Sequence, residues 1–510
     1  MARVNKVVSV NTTENRTQAQ DRILKGANLL ADAVKLTLGP HGKNFLLEKG
    51  LKITNDGLNI AKEIQSKDEI EDLGIRITRE ALIKTNESAG DGTTTTAVIF
   101  QAILKEALKL LPGKALMGKM SALQLRNKIF SECKMVVEKL QSMAKPVETK
   151  EDLINIAKVS VEDDALSKLI AEAQWELGPD GVIMAEETNE ITDSVERVNG
   201  ILFDNGFGTS MVINNQEKQT LELGEVPVIM TNHTFDDLVP VISVLESLKK
   251  EGKRDVVLIG RGFSSNAVKA CMLNHEKGFR IYPVNAPYVN QVEVMKDLAV
   301  VLGGKFYDSE SSDLSEMQMK DIGMAQKVIC ERFSAKFGGF KNEQSETRIF
   351  NRVEDLKKNL IGDPSQFMKK GIQNRISQLQ NGFAIIKVGA MTDTDRKYKY
   401  DKVEDAVNAV KSAFQEGTVK GGGLALKEIA ETLDDDSILK RPLMAPYQQI
   451  MENAGEDFPI EDWVRNSLKV ERVALENACQ IAADLSTAGG AIANEFPKSR
   501  YVKEIENEND

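Results

Sequence analysis

The chain has 510 residues, 41% hydrophobic and 28% charged, with a formal net charge of −11. That length exceeds what one core accommodates, so two or three globular domains are expected. The acidic balance argues against a general nucleic-acid binder and against an anionic membrane surface, and no apolar run is long enough to span a bilayer. Cys133, Cys271, Cys330 and Cys479 are far apart with no CxxC pair, so a disulfide framework or zinc site is not expected. The first 22 residues are polar and lack the apolar core of a secretory signal, and a cytoplasmic location is expected.

In chain order, Asp21–Leu38 carries apolar residues at helical spacing and stops at Gly39-Pro40. Asn44–Glu48 and Leu51–Thr54 read as two short strands joined through Lys49-Gly50. The tight turn Asn55-Asp56-Gly57 then puts the Asp56 carboxylate at its tip. Helical pattern resumes at Leu58–Gln65, Glu71–Asn86 and Ser121–Met143, which makes the first ~140 residues one mostly helical unit. Lys150–Gly178 reads as helices, Pro179-Asp180-Gly181 as a turn, and Val182–Glu186 and Asp193–Val198 as strands. Beyond Gly200, the short β-rich runs 226–231, 256–260 and 280–285 alternate with helical runs Phe235–Glu251 and Ser264–Lys277, the pattern of an α/β domain. A strand at 328–333, a charged helical region Gln344–Gln380 and a strand after Gly382 follow. Helices Asp401–Glu416, Leu424–Leu433 and Val470–Thr487 come next, and KEIENEND closes the chain as an acidic solvated tail.

The most informative stretch is Ala89–Leu111. Gly90-Asp91-Gly92 and the threonines Thr93 to Thr96 precede a strongly apolar helix, which Pro112-Gly113 closes. Glycines let backbone approach a ligand, the first N–H groups of a helix lack internal partners, and threonine hydroxyls add donors. Asp91 beside such an anion site supplies the carboxylate with which proteins hold Mg2+. A Mg2+–nucleotide site at Asp91–Thr95 and an ordinary capped, buried helix are both compatible with this stretch alone. Gly421-Gly422-Gly423 repeats the device before another helix. The chain has no GxxxxGK[ST], GxSxG or HExxH, and its three histidines are scattered.

Taken in order, TLGPHGKN (37–44), ITNDGLNIAKEI (53–64), AGDGTTTT (89–96), KVEDAVNA (402–409) and EGTVKGGGLAL (416–426) resemble the nucleotide-site segments of group I chaperonins. The resemblance spans almost the whole chain. It implies an α+β multidomain subunit with a helical equatorial domain (1–142 and 416–510), a small intermediate domain (143–198 and 384–415) and an α/β apical domain (199–383). It further implies a protein-folding ATPase that uses ATP and Mg2+, with K+ as a further candidate ion. The partners would be a homo-oligomeric ring of seven subunits, single or paired, together with non-native proteins and a co-chaperonin lid.

Residue by residue, the resemblance puts Thr37, Leu38, Gly39 and Pro40 and the loop Asp91, Gly92, Thr93, Thr94 and Thr95 on the phosphates, with Asp91 on the metal. Asn55, Gly422 and Asn466 fall at further nucleotide-contacting positions, Gly422 against the ribose. The resemblance further implies that Asp56 would lie near the γ-phosphate and that Asp405 would swing in to position the attacking water, although KVEDAV by itself also reads as an ordinary amphipathic helix with a solvated acidic face. Phosphoryl transfer needs just such placement and charge neutralisation. In the central domain Phe207, Met211, Leu238, Ile242, Leu245, Val268, Met272 and Leu273 fall at client-binding positions, although a hydrophobic stripe at helical spacing ordinarily means core.

The chain also departs from the family. Asn55 stands where lysine is usual, and Asn466 where an aspartate contacts ribose. The segment between Gly455 and Val470 is short, so the loop on the adenine side is expected to be largely missing. Gln448 replaces an arginine expected to face Asp457 across rings. Hinges are expected near Pro146, Gly200, Gly382 and Gly417. Two rivals to the ATP-dependent chaperonin remain: a ring-forming holdase or scaffold with weak turnover, and a metal-dependent phosphohydrolase acting on a small substrate.

Overall fold

Helices with one continuous apolar stripe pack on each other, and fully apolar strands must be covered on both faces. Both solutions occur here, in separate units of one chain. The computed structural model describes residues 5–7, 12–13, 16–47, 52–110, 120–179, 181–216, 218–361, 366–455, 459–488 and 492–494. The Lys49-Gly50 junction, Pro112-Gly113, Asp180, Asp457 and the KEIENEND tail lie outside the described residues. One unit combines 1–175, 185–194 and 387–510; the other combines 176–184 and 195–386.

The first unit is helical. Helices Gln18–Val34, Glu69–Ala89, Thr93–Leu110, Ala122–Met143 and, from the far end of the chain, Leu468–Thr487 share one core. Phe100, Ile103 and Leu104 at its centre are buried, as are Leu475, Ala478 and Ala482 on the helix that packs against them. Strands Phe45–Leu47 and Lys52–Thr54 form an antiparallel hairpin with Phe45 opposite Thr54. Helix Lys440–Ala454, which carries Pro446 within it, is an element the apolar pattern does not announce. Helix Asp393–Glu416 begins eight residues earlier than its sequence pattern suggests and packs on helix Lys150–Val161.

The second unit is α/β. Its main sheet runs in the order Arg280–Asn285, Asp255–Gly260, Val226–Thr231, Gly323–Cys330, Ala335–Gly339, Gly200–Phe203. The first three strands are parallel and the others antiparallel. The two-residue period of a strand is visible in the packing: Val228 and Met230 join one core cluster, Ile229 the other. Val257 and Ile259 divide from Val256 and Leu258 in the same way.

The run 235–251 is helical over Ile242–Lys250 alone. Phe235 lies in strand Thr234–Phe235, and a 3-10 turn Val239–Val241 follows. Pro240, which has no N–H to donate, and the preceding Asp236-Asp237 pair explain the late start. The strand expected at 328–333 instead spans Gly323–Cys330, because Glu331 turns back through its N–H to the Ser334 carbonyl at 2.8 Å. Asp297, 1% exposed, accepts from Arg352 Nε at 2.7 Å and Arg375 Nε at 2.6 Å, and both arginines also reach Glu293.

Candidate functional site

Two helix N-termini converge in the first unit. The helix after Gly92 starts at Thr93, and helix Gly57–Glu63 starts one residue after Asp56. A Cβ on Gly57 would lie 2.5 Å from Thr94 Oγ1, so the two first turns touch beside the N–H groups that open the helix at Thr93. Gly90 and Gly92 adopt φ of +74° and +89°, which permits the turn that delivers Asp91. Thr37 Oγ1 donates to the Val34 carbonyl at 2.9 Å and lies 3.3 Å from Thr94 Oγ1, joining the 35–40 loop to the same place.

Asp56 differs from its expected setting. It is not a free carboxylate at a turn tip. It is an N-cap whose two oxygens accept from Leu58 N at 3.0 Å and Asn59 N at 2.9 Å. The later parts of the chain close the site. Asp401, one turn before Asp405, accepts from Asn59 Nδ2 at 3.1 Å, and Asn408 Nδ2 donates to Gly90 O at 3.3 Å. Gly422, at φ +63°, faces Ile460, and Asn466 lies in strand Arg465–Ser467 opposite Val419.

The result is one cavity of about 360 Å3. Thr37, Leu38, Gly39, Pro40, Asn55, Asp56, Asp91, Gly92, Thr93, Thr94, Thr95, Asp405, Gly422 and Asn466 all line it. The short 459–464 segment supplies Pro459, Ile460, Trp463 and Val464 to its rim, next to Gly422. A wall therefore does exist on the side where the sequence suggests a missing loop. Lys158 stands 5.0 Å from the centre of the Trp463 ring.

Electrostatically the cavity is short of positive charge. Burial pushes the Asp91 carboxyl above its ordinary range; the Gly92 N–H opposes this and Asp56 adds to it. Burial does the same to Asp405, more strongly, with Asp91, Asp56, Glu404 and Asp401 all repelling its charged form. Of the cations at the wall, Lys402 pairs with Glu162 of the same cavity at 2.9 Å and Lys158 with Asp164 at 2.7 Å; Arg465 is the third. Among the described residues no three His, Cys, Asp or Glu side chains come close enough to hold a metal by themselves. Hard carboxylate and hydroxyl oxygens fit a Mg2+ that keeps waters, and the N–H groups at the Thr93 helix start fit an anion shared with it.

Glu471 is a cavity residue that sequence reasoning missed. It is 2% exposed, and its Oε1 accepts from Asn466 Nδ2 at 2.6 Å. A glutamate in the first turn of helix Leu468–Thr487 reads from sequence as favourable to the helix dipole and nothing more.

The client-position residues all lie in the second unit. Leu238 and Leu245 point into its core, at 7% and 5% exposure, whereas Met211, Ile242 and Leu273 are 67%, 49% and 57% exposed. Phe207, Val268 and Met272 are half-buried, and Phe207 and Met272 pack against the core. Val239, 66% exposed, is an apolar surface residue missing from the sequence-derived set.

No helix among the described residues is long and apolar enough to cross a membrane. Residues 30–440 match the model of the TCP-1/cpn60 chaperonin family. Two crystal structures of the chaperonin gp146 from bacteriophage EL 2 (Pseudomonas aeruginosa), both in the presence of ATP-BeFx, share the fold. One is 21% identical with a TM-score of 0.67, over 95% of this chain and 99% of that chain. The other is 22% identical with a TM-score of 0.60, over 96% and 100%. The family match covers most of the sequence and the fold likeness nearly all of it: the chain belongs to the TCP-1/cpn60 chaperonin family.

Proposed function

We propose that this chaperonin binds ATP with Mg2+ in the cavity of the first unit and couples its hydrolysis to the folding of non-native proteins. The observation that carries the reading is the meeting of Thr37–Pro40, Asp56, Asp91–Thr95, Asp405 and Gly422 at one cavity, from both ends of the chain. N–H groups of the helix start at Thr93 and the threonine hydroxyls bind and orient the phosphates. The bound metal supplies charge neutralisation. Asp91 holds it, which relieves the carboxylate's crowding with Asp56 and Asp405. Asp405 receives the proton of the attacking water and fixes its direction. Asp56 acts through the backbone, because both of its oxygens are occupied in holding a helix start in place.

Clients bind at the second unit through Met211, Ile242, Leu273 and Val239, whose exposed apolar and flexible side chains suit a partner of no fixed shape. The domain boundaries implied by the family resemblance, a ring of identical subunits and a lid-like partner belong to the same proposal. The test is Asp405→Ala. ATP should still bind, with turnover down by about 10^2–10^4. Unchanged hydrolysis would remove Asp405 from the mechanism. A holdase would show nucleotide binding without turnover in the parent protein, and a phosphohydrolase would cleave small phosphate esters without assembling.

A further inference from the structure

Glu471 is buried at 2% exposure, lines the cavity, and satisfies only half of its carboxylate. Oε1 accepts from Asn466 Nδ2, while Oε2 has no hydrogen-bond partner among the described residues. The nearest cation in sequence does not satisfy it: Arg472 Nη2 lies 3.0 Å from Glu416 and Nη1 2.9 Å from Glu476, while its buried Nε has no hydrogen-bond partner among the described residues. Asn466 is fixed by its strand pairing and by Gly421, where a Cβ would come within 2.9 Å of Asn466 Oδ1. Glu471 is therefore held in place from one side, with an acceptor left over on a cavity wall. Buried acceptors without a partner are rare and costly, and a ligand's donor is the simplest way to satisfy one.

Resting on the nucleotide reading above, we propose that Glu471 is a ligand-contacting residue whose Oε2 accepts a hydrogen bond from an O–H donor of the bound nucleotide complex, with Asn466 as its positioning residue. The donor is a sugar hydroxyl or a water on the nucleotide's cation. Both present the same chemistry to a carboxylate, and both lie within the span of a cavity that runs from Gly422 to Asp91. The contact adds an acid to the nucleotide site at a position where helix Leu468–Thr487 would otherwise present only packing.

The test is equilibrium binding by calorimetry to the intact protein and to Glu471→Gln. The ligands are ADP, 2′-deoxy-ADP and 3′-deoxy-ADP, each with Mg2+ and with a chelator. The amide keeps an oxygen for Asn466 and removes the charged acceptor, so ADP–Mg2+ should bind about tenfold more weakly, the scale of a charge-assisted hydrogen bond. If the loss disappears for one deoxy analogue, the donor is that hydroxyl. If it is the same for all sugars and disappears with the chelator, the donor is a metal-bound water. Either result supports the proposal. Equal binding by variant and parent overturns it, and so does a loss that ignores both sugar and metal. The comparison of sugars and metal on the unaltered protein needs no variant: affinity indifferent to both deoxy changes and to the chelator also overturns it. If the unaltered protein binds no nucleotide, the reading of the site falls and this one with it, a result distinct from binding that ignores Glu471.

Discussion

Asn453 and Leu38 stand 415 positions apart, yet Asn453 Nδ2 donates to the Leu38 carbonyl at 2.9 Å, and to that of Lys35 at 3.0 Å. Gln449 orients the amide through its own donation to Asn453 Oδ1 at 3.0 Å. The loop that would cradle phosphate is thus propped from beneath by helix Lys440–Ala454. Asn453→Ala leaves the Leu38 carbonyl without its donor, while Lys35 O keeps the Leu38 N–H at 3.2 Å, a cost of about 1–3 kcal/mol. Faster amide exchange over 35–40 and about tenfold weaker ADP binding are the expected outcomes, with the fold retained.

The buried Glu471 makes stability depend on pH. Burial pushes its carboxyl up to about 7 from 4.5; the Asn466 hydrogen bond opposes the rise and the Asp91 charge adds to it. A raised acid binds its proton more tightly when folded, so stability is lost as pH rises from about 4.5 to about 7. Glu471→Gln removes that loss. Between pH 4.5 and 8 the unliganded parent should lose ~3 kcal/mol relative to the variant, by linkage over that interval. Denaturant unfolding followed by the fluorescence of Trp175 and Trp463, both in the first unit, checks it.

In the second unit the buried Asp297 carboxylate depends on Arg375, which donates from Nε at 2.6 Å and Nη2 at 2.9 Å. Arg375→Ala leaves that charge with Arg352 alone and should cost about 3–5 kcal/mol, the usual penalty for breaking a buried pair. The same cluster adds an acid dependence. Burial raises the Glu293 carboxyl, but Lys296 and Arg352 overcome it and hold it at about 2. A depressed acid stabilises the fold above its unfolded value, so this contribution fades as pH falls from 4.5 toward 2. Thermal melts of the parent and Arg352→Ala at pH 7 and pH 3 should differ less at the lower pH.

Much of this was legible in the sequence, for identifiable reasons. Gly92 and the threonines after it announce the 93–110 helix, because few other roles suit glycine beside a run of N-cap residues. Helix Lys440–Ala454 was hidden by Pro442 and Pro446, which penalise a helix locally although tertiary packing holds this one. Strand Ala335–Gly339 was hidden by its two glycines. The limit of pattern reading is clearest in Leu238 and Leu245. They share a period with Ile242, and only packing shows that two of the three face the core.

That division yields its own experiment. Met211→Ser, Ile242→Ser and Leu273→Ser together should leave the melting temperature within a few degrees, since exposed substitutions are usually worth less than ~0.5 kcal/mol each. Binding of an unfolded reporter protein should fall several-fold. Leu245→Ser buries an unpaired hydroxyl and should destabilise the second unit by about 2–4 kcal/mol. An unchanged reporter affinity in the triple variant would place client binding elsewhere.

The cavity wall from Gly422 to Glu471 is the last part of it to be synthesised. A nascent polypeptide that already carries Thr37, Asp56 and Asp91 still lacks the far side of the pocket while it is tethered to the ribosome. A ligand of this cavity would meet its full set of contacts only once residue 471 has been added, so any stabilisation it brings follows the synthesis of both halves of the site.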